Sequence, residues 1–234
     1  MRSWFVPVWL CVFPVLISVS GVANNIAAVL TPPKDSEKLA LPFSQGMLDN
    51  NKRFETLGYQ KGQKVADFTL YGADGSRFVL SEALKKGKPI MLVSGSYTCD
   101  IARYNLPNIQ KLKTQYGDKL AIYLVYTREA HPSDAPSPYS PRQEIWIPRL
   151  NLKDQVKANQ PKTYGERKAL AVKWQEQYKI QVPVLLDTPD NKFWLNFGQA
   201  PNFAYLIEPQ GKVSFKQSWL KLEGLENAIA DLIK

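Results

Sequence analysis

Pro89-Ile90-Met91-Leu92-Val93-Ser94-Gly95-Ser96-Tyr97-Thr98-Cys99 is an apolar run that passes into small polar residues and ends on a cysteine. An unbroken apolar run of this length, bounded by turn residues, predicts a strand buried on both faces, as in the middle of a sheet flanked by helices. Beyond it, Ala102, Leu106, Ile109, Leu112 and Tyr116 recur three or four apart, which predicts a helix. Thr98 stands where an N-cap hydroxyl would close the first turn. Cys99 then lies at a helix start, where unsatisfied backbone N–H groups and the positive end of the dipole favour thiolate over thiol, so its pKa is expected to fall from about 8.5 toward neutrality or below. The alternative for an unpaired cysteine is a small buried hydrophobe whose sulfur never reacts.

Working outward, Leu120-Ala121-Ile122-Tyr123-Leu124-Val125-Tyr126 predicts a second buried strand, parallel to the first across the helix. It runs into Thr127-Arg128-Glu129-Ala130-His131-Pro132-Ser133-Asp134, which sets a carboxylate and the chain's single histidine at a strand's C-terminal edge. Sites form at that edge of open α/β sheets, so Glu129 and His131 are read as neighbours of the sulfur. Upstream, the alternation of residues 65–70, a turn at Asp74-Gly75 and Phe78-Val79-Leu80 predict a hairpin; Ser81 to Leu84 opens a short helix. Residues 135–163, rich in Pro, Ser, Asn and Lys, are an inserted lid or binding loop. A helix follows to Tyr178, then a strand at Val182 to Asp187, a turn at Asp190-Asn191 and a short aromatic helix at Phe193 to Phe197. Pro201 precedes a strand pair joined by a turn at Pro209 to Gly211, and a last helix spans about Leu222 to Ile233. A proline at a strand's first residue fits the ladder and, if its bond is cis, fixes a sharp turn.

The chain of 234 residues is 44% hydrophobic and 22% charged, enough for one domain with extensions. Residues 4–30 hold no charge and follow Arg2, which predicts a secretory signal at residues 1–23, cleaved after Ala23, or an uncleaved membrane anchor to about residue 30. Either places the domain outside the cytoplasm, in a periplasmic or secreted setting. Residues 24–61, opening on Thr31-Pro32-Pro33, read as a linker or loosely attached arm, and the domain as residues 62–234. Cys11 belongs to the exported segment, which leaves Cys99 with no intramolecular disulfide partner. No Cys/His cluster suits a metal, and no cofactor is expected. The formal charge is +9, yet the basic residues are scattered, so a solvated basic surface is expected and nucleic-acid binding is not.

Three segments carry a resemblance. ADFTLYGADGSRFVLSEALKKGKPIMLVSGSYTC (residues 66–99) is similar to the opening of the peroxiredoxin and thiol-disulfide oxidoreductase group, and APNFAYLIEPQGKV (residues 200–213) to its cis-proline and closing hairpin. Within that thioredoxin-fold superfamily SGSYTC, NLPNIQKL and above all LVYTREAHPSD (residues 124–134) resemble the iodothyronine deiodinase family, which has a G-S-x-T-selenocysteine loop and a strand ending in E-A-H-x-S-D. The resemblance covers about residues 62–234. It implies an α/β thioredoxin-like fold with a mixed central sheet, an N-terminal β-hairpin extension and an inserted loop. It also implies that Cys99 takes the selenocysteine's place as nucleophile, Glu129 and His131 the places of the acid and histidine beside it, and Pro201 that of the cis-proline facing it.

The chain departs from the families it resembles at informative positions. Sulfur is a weaker nucleophile than selenium at neutral pH, Ala102 stands where a Cys-x-x-Cys protein has its second cysteine, and the peroxiredoxin Pro-x-x-x-Thr-x-x-Cys is absent. The expectation is an exported single-cysteine oxidoreductase whose Cys99 attacks a peroxide, a disulfide or a halogenated aromatic. Glu129 and His131 would then supply or hold a proton, and Tyr97, Thr98, Pro201 and Trp146 contact substrate, with Tyr139 and Trp146 covering it. An external thioredoxin-like or glutathione-like thiol would recycle the cysteine, which otherwise accumulates as sulfenic acid, mixed disulfide or an intermolecular homodimer. The rival expectation is a non-catalytic redoxin-fold binding module.

Overall fold

The computed structural model describes residues 32–48 and 53–234, so the uncharged segment and Cys11 lie outside the described residues. The predicted central strand is β3, Ile90–Gly95, buried at every position. Its apolar side chains serve both faces because it lies inside the sheet, parallel to β4 (Ala121–Tyr126) and antiparallel to β6 (Ala204–Ile207). Gly95, the last residue of β3, is required by packing: a Cβ there would stand 2.6 Å from the buried Trp174 ring.

The hairpin forms from β1 (Thr69–Gly72) and β2 (Arg77–Val79). Gly75 supplies the positive φ of 85° at its turn, and Asp74 accepts the Ser76 N–H at 2.9 Å. The strand starts at Thr69, later than the alternation from Val65 suggests. Val65 instead donates its N–H to the Gly211 carbonyl across the sheet (2.9 Å), and Asp67 turns away to hold the Ser81 N–H and hydroxyl at the start of α1, Leu80–Leu84.

With α2 (Asp100–Tyr116), α3 (Arg149–Lys153), α4 (Tyr164–Gln177), β5 (Val184–Leu186), α5 (Lys192–Phe197), β7 (Val213–Gln217) and α6 (Leu222–Leu232), the described chain builds one seven-stranded mixed sheet. Its order is β2-β1-β5-β4-β3-β6-β7, with β3, β4 and β5 parallel and helices on its faces. The last helix is interrupted at Glu223 and Gly224 by non-helical backbone, so regular turns follow the glycine.

Two expectations about the extensions change. The described part of the arm, residues 32–48 and 53–61, is strapped down: Leu41 and Phe54 are buried, and Leu41 donates its N–H to the Lys162 carbonyl while Tyr164 donates to that of Leu39, each at 2.9 Å. Lys216 adds hydrogen bonds to the carbonyls of Phe54, Glu55 and Leu57. The insert holds one helix, α3, and is otherwise irregular as expected. Side chains pin it to the domain: Ser137 donates to the Ala130 carbonyl (2.6 Å), Ser133 to that of Ala158 (3.1 Å), and Asp134 accepts the Gln160 N–H (2.8 Å).

Candidate active site around Cys99

Cys99 sits where β3 ends and α2 begins, but the capping assignment shifts by one residue. Cys99 itself is the N-cap, its sulfur accepting the Ala102 N–H at 3.3 Å. Thr98 is turned inward: its N–H and hydroxyl donate to Glu129 Oε2 at 2.7 and 2.5 Å, and its oxygen accepts the His131 N–H at 3.0 Å. The hydroxyl has this alternative because β4, paired in register with β3, delivers Glu129 directly behind it.

The thiol's expected acidity is overturned. Cys99 is 1% exposed, and burial pushes its pKa up to about 12. The Ala102 N–H pulls the other way, Asp100 and Glu129 add to the rise, and Arg103 opposes it. Magnitude decides the outcome: a helix terminus is worth up to about 2 kcal/mol, roughly 1.5 pKa units, whereas full burial shifts a group by about 3–5 units. The resting sulfur is a thiol.

Glu129 is fully buried with both carboxylate oxygens engaged, Oε2 by Thr98 and Oε1 by the Tyr126 hydroxyl. Burial raises its pKa against those hydrogen bonds. The Tyr126 hydroxyl in turn accepts the Tyr97 N–H at 3.1 Å. This carboxyl therefore holds the loop before the cysteine.

His131 is buried between two partners. Nδ1 lies 3.0 Å from the Trp146 carbonyl, which can only accept, so Nδ1 carries the hydrogen of that pair. Nε2 faces Asp100 Oδ1 at 3.6 Å. Burial raises the Asp100 pKa, but the neighbouring His131, the Ile101 N–H and Arg103 together outweigh it and hold the carboxyl below its ordinary range. The Trp146 ring meets the imidazole edge-on at a centroid distance of 4.7 Å and is 45% exposed.

Of the other expected residues, Tyr97 is buried, its hydroxyl donating to Gln177 (2.9 Å) and its ring lying under Lys173. Tyr139 is no open aromatic surface: it is buried, and its hydroxyl donates to the Gln199 carbonyl and accepts from the Trp194 indole. Pro201 is buried in a segment docked on Ser94, whose hydroxyl donates to the Ala200 carbonyl (3.2 Å) and accepts the Phe203 N–H (2.8 Å). No cis peptide bond occurs among the described residues, so Pro201 follows a trans bond; the Ser94 docking makes the turn that a cis bond was expected to fix.

Three contributors carried no readable signal. Asn151 in α3 donates to the Thr98 carbonyl at 2.8 Å and accepts from Arg103 at 2.9 Å, and Arg103 also donates to the Tyr97 carbonyl. Tyr126 reads only as a strand residue. No cluster of His, Cys, Asp and Glu able to hold a metal occurs among the described residues. Among them, too, no helix is long and apolar enough to cross a membrane.

No family model matches the chain. The thioredoxin-like protein YneN of Bacillus subtilis is 35% identical over 78 residues, which span 33% of this chain and 45% of that protein. Among solved structures, the thioredoxin domain of a thiol-disulfide oxidoreductase from Bacteroides vulgatus matches with a TM-score of 0.51 at 17% identity, covering 76% of this chain and all of that one. A protein of Chlorobium tepidum assigned as a thiol:disulfide interchange protein, DsbE, matches at 0.52 and 19% identity, with the same coverage. The strand order and these likenesses together establish that the chain has a thioredoxin-like α/β fold.

Proposed function

We propose that this protein is a single-cysteine thiol oxidoreductase whose nucleophile, Cys99, is buried as a thiol at rest and reacts when its cover opens. The supporting observation is the sulfur's place at the end of the central strand, accepting an N–H of the first turn of α2. In that place an exposed sulfur would gain the helix-terminus stabilisation that burial now outweighs. Once deprotonated, Cys99 attacks one sulfur of a disulfide, the S–S bond breaks, and the departing sulfur leaves as a thiolate. An external thiol then attacks the mixed disulfide and releases Cys99. The His131–Asp100 pair takes the thiol's proton, because both oxygens of Glu129 are already engaged. In the finer, deiodinase-like reading the electrophile is a peroxide or a halogenated aromatic, and the half-exposed Trp146 contacts it. The uncharged run of residues 4–30 supports an extracytoplasmic setting.

The test is intact-mass analysis of the folded protein after oxidised glutathione or hydrogen peroxide, with peptide mapping to separate Cys99 from Cys11. One adduct on Cys99, removed by an added thiol and absent in Cys99→Ser, is the expected result. The 1% exposure of the thiol favours a second reading, a redoxin-fold binding module with an inert cysteine. A Cys99 left unmodified in the folded chain by both reagents supports that reading instead.

A further inference from the structure

Two cavities lie side by side along the insert. One, about 450 Å³, is walled by Ile147, Leu152 and Val156, with the carboxamides of Asn151 and Gln155. The other, about 630 Å³, runs between the insert's last residues and α4 and is bordered by Lys157, Lys162 and Lys173. Ser133 and Lys157 line both, so the two adjoin, giving an apolar end and an end where three lysines outnumber the carboxylates of Asp134 and Glu166. Each volume is in the range of small-molecule sites.

The charges at the cationic end are unevenly spent. Its two carboxylates already accept backbone hydrogen bonds, Asp134 from the Gln160 N–H at 2.8 Å and Glu166 from the Lys162 N–H at 2.6 Å. Lys173 lies over the Tyr97 ring. The ammonium groups of Lys157 and Lys162 make no ion pair with any described residue. The side-chain amide of Gln160, on the same wall, is shielded from solvent with neither its nitrogen nor its oxygen paired.

We propose that this groove binds a small anionic amphiphile, its apolar body against Ile147, Leu152 and Val156 and its oxyanion between Lys157 and Lys162. Charge complementarity selects this occupant: an uncharged apolar molecule would leave both ammonium groups unmatched, and a simple anion would leave the apolar end unfilled. The groove does not need the redox reading to hold: none of its residues is Cys99, Glu129 or His131, and the one it shares with the loop before the sulfur, Asn151, already spends its carboxamide on Thr98 and Arg103.

The experiment titrates the full chain with 8-anilinonaphthalene-1-sulfonate and, in parallel, with its uncharged counterpart N-phenyl-1-naphthylamine. The sulfonate should bind saturably, one per chain, and more weakly as salt rises. Lys157→Ala combined with Lys162→Ala should weaken the sulfonate about tenfold and leave the neutral probe unchanged, the scale of two screened charge contacts. Leu152→Asp should weaken both probes, whereas Trp146→Ala and Cys99→Ser should weaken neither. All these positions except Cys99 are exposed, and unchanged circular dichroism confirms the fold in each variant. Non-saturable binding, a lysine double variant that holds the sulfonate as tightly as the parent, or loss of binding in Trp146→Ala would each overturn the assignment. A parent chain whose Cys99 stays unmodified by oxidised glutathione yet binds the sulfonate would overturn the redox reading alone, and the converse result would overturn this one alone.

Discussion

Residues 96–99 and residues 145–146 both border the first turn of α2, and they are built in opposite ways. The first stretch is buried throughout, its backbone and hydroxyl groups consumed by Glu129, Tyr126, Asn151 and Arg103. The second carries Ile145 and Trp146 into solvent. Fixed hydrogen bonds thus hold the residues before the sulfur inside, while a stretch tied to the same turn only through His131 stays open and apolar. Positioning and access are separate properties here, and a cysteine can have the first without the second.

The largest effect that could break this contrast is in alkylation. The folded thiol, with its pKa pushed up to about 12, should react with iodoacetamide at pH 8 roughly 10³-fold more slowly than the same thiol in denaturant, where the value returns to about 9. The sign for stability follows: the folded pKa is the higher, so stability is fully present below about pH 9 and falls as pH rises from about 9 to 12. A folded protein that alkylates as fast as the denatured chain would show residues 96–99 to be open in solution.

Next in size is Glu129→Ala, which leaves the Thr98 N–H, the Thr98 hydroxyl and the Tyr126 hydroxyl without their acceptor. It should cost about 3–5 kcal/mol, read as a fall in unfolding midpoint, and should accelerate Cys99 alkylation. Unchanged stability would mean that the carboxylate does not clamp the loop. His131→Ala should slow turnover with a disulfide by about 10²-fold if the His131–Asp100 pair takes the proton, with much less loss above pH 9, where hydroxide substitutes. A loss equal at every pH would assign His131 a packing role. The smallest effect belongs to the open stretch: Trp146→Ala should change stability by less than about 1 kcal/mol, since nearly half of the residue is already solvated.

How far the sequence could be read depends on what each feature rests on. β3, α2 and β4 were legible because their signals are local: an unbroken apolar run, a three-to-four spacing and a second run that a helix must connect in parallel. The positions of Glu129 and His131 at the edge followed from that register. Burial of Cys99 was not legible, because it is decided by what packs around the loop, including Asn151 from an irregular insert. The arm misled for a related reason: its polar composition hides Leu41 and Phe54, and two buried side chains with a few backbone hydrogen bonds suffice to fasten it. Thr98 is not the cap its position suggests, because a threonine before a helix has two destinations and only the tertiary neighbour Glu129 selects between them.

The hydrogen bond from Asn151 to the Thr98 carbonyl joins residues 53 apart in the chain. A ribosome reaches Asn151 roughly 3–10 s after Thr98, at about 5–20 residues per second. Throughout that interval the nascent chain lacks both the amide that holds the Thr98 carbonyl and the rest of the insert's seal. Of the loop's backbone partners Asn151 is the last to be made, so the hydrogen bonds that fix the residues before Cys99 cannot be complete until the insert has been synthesised.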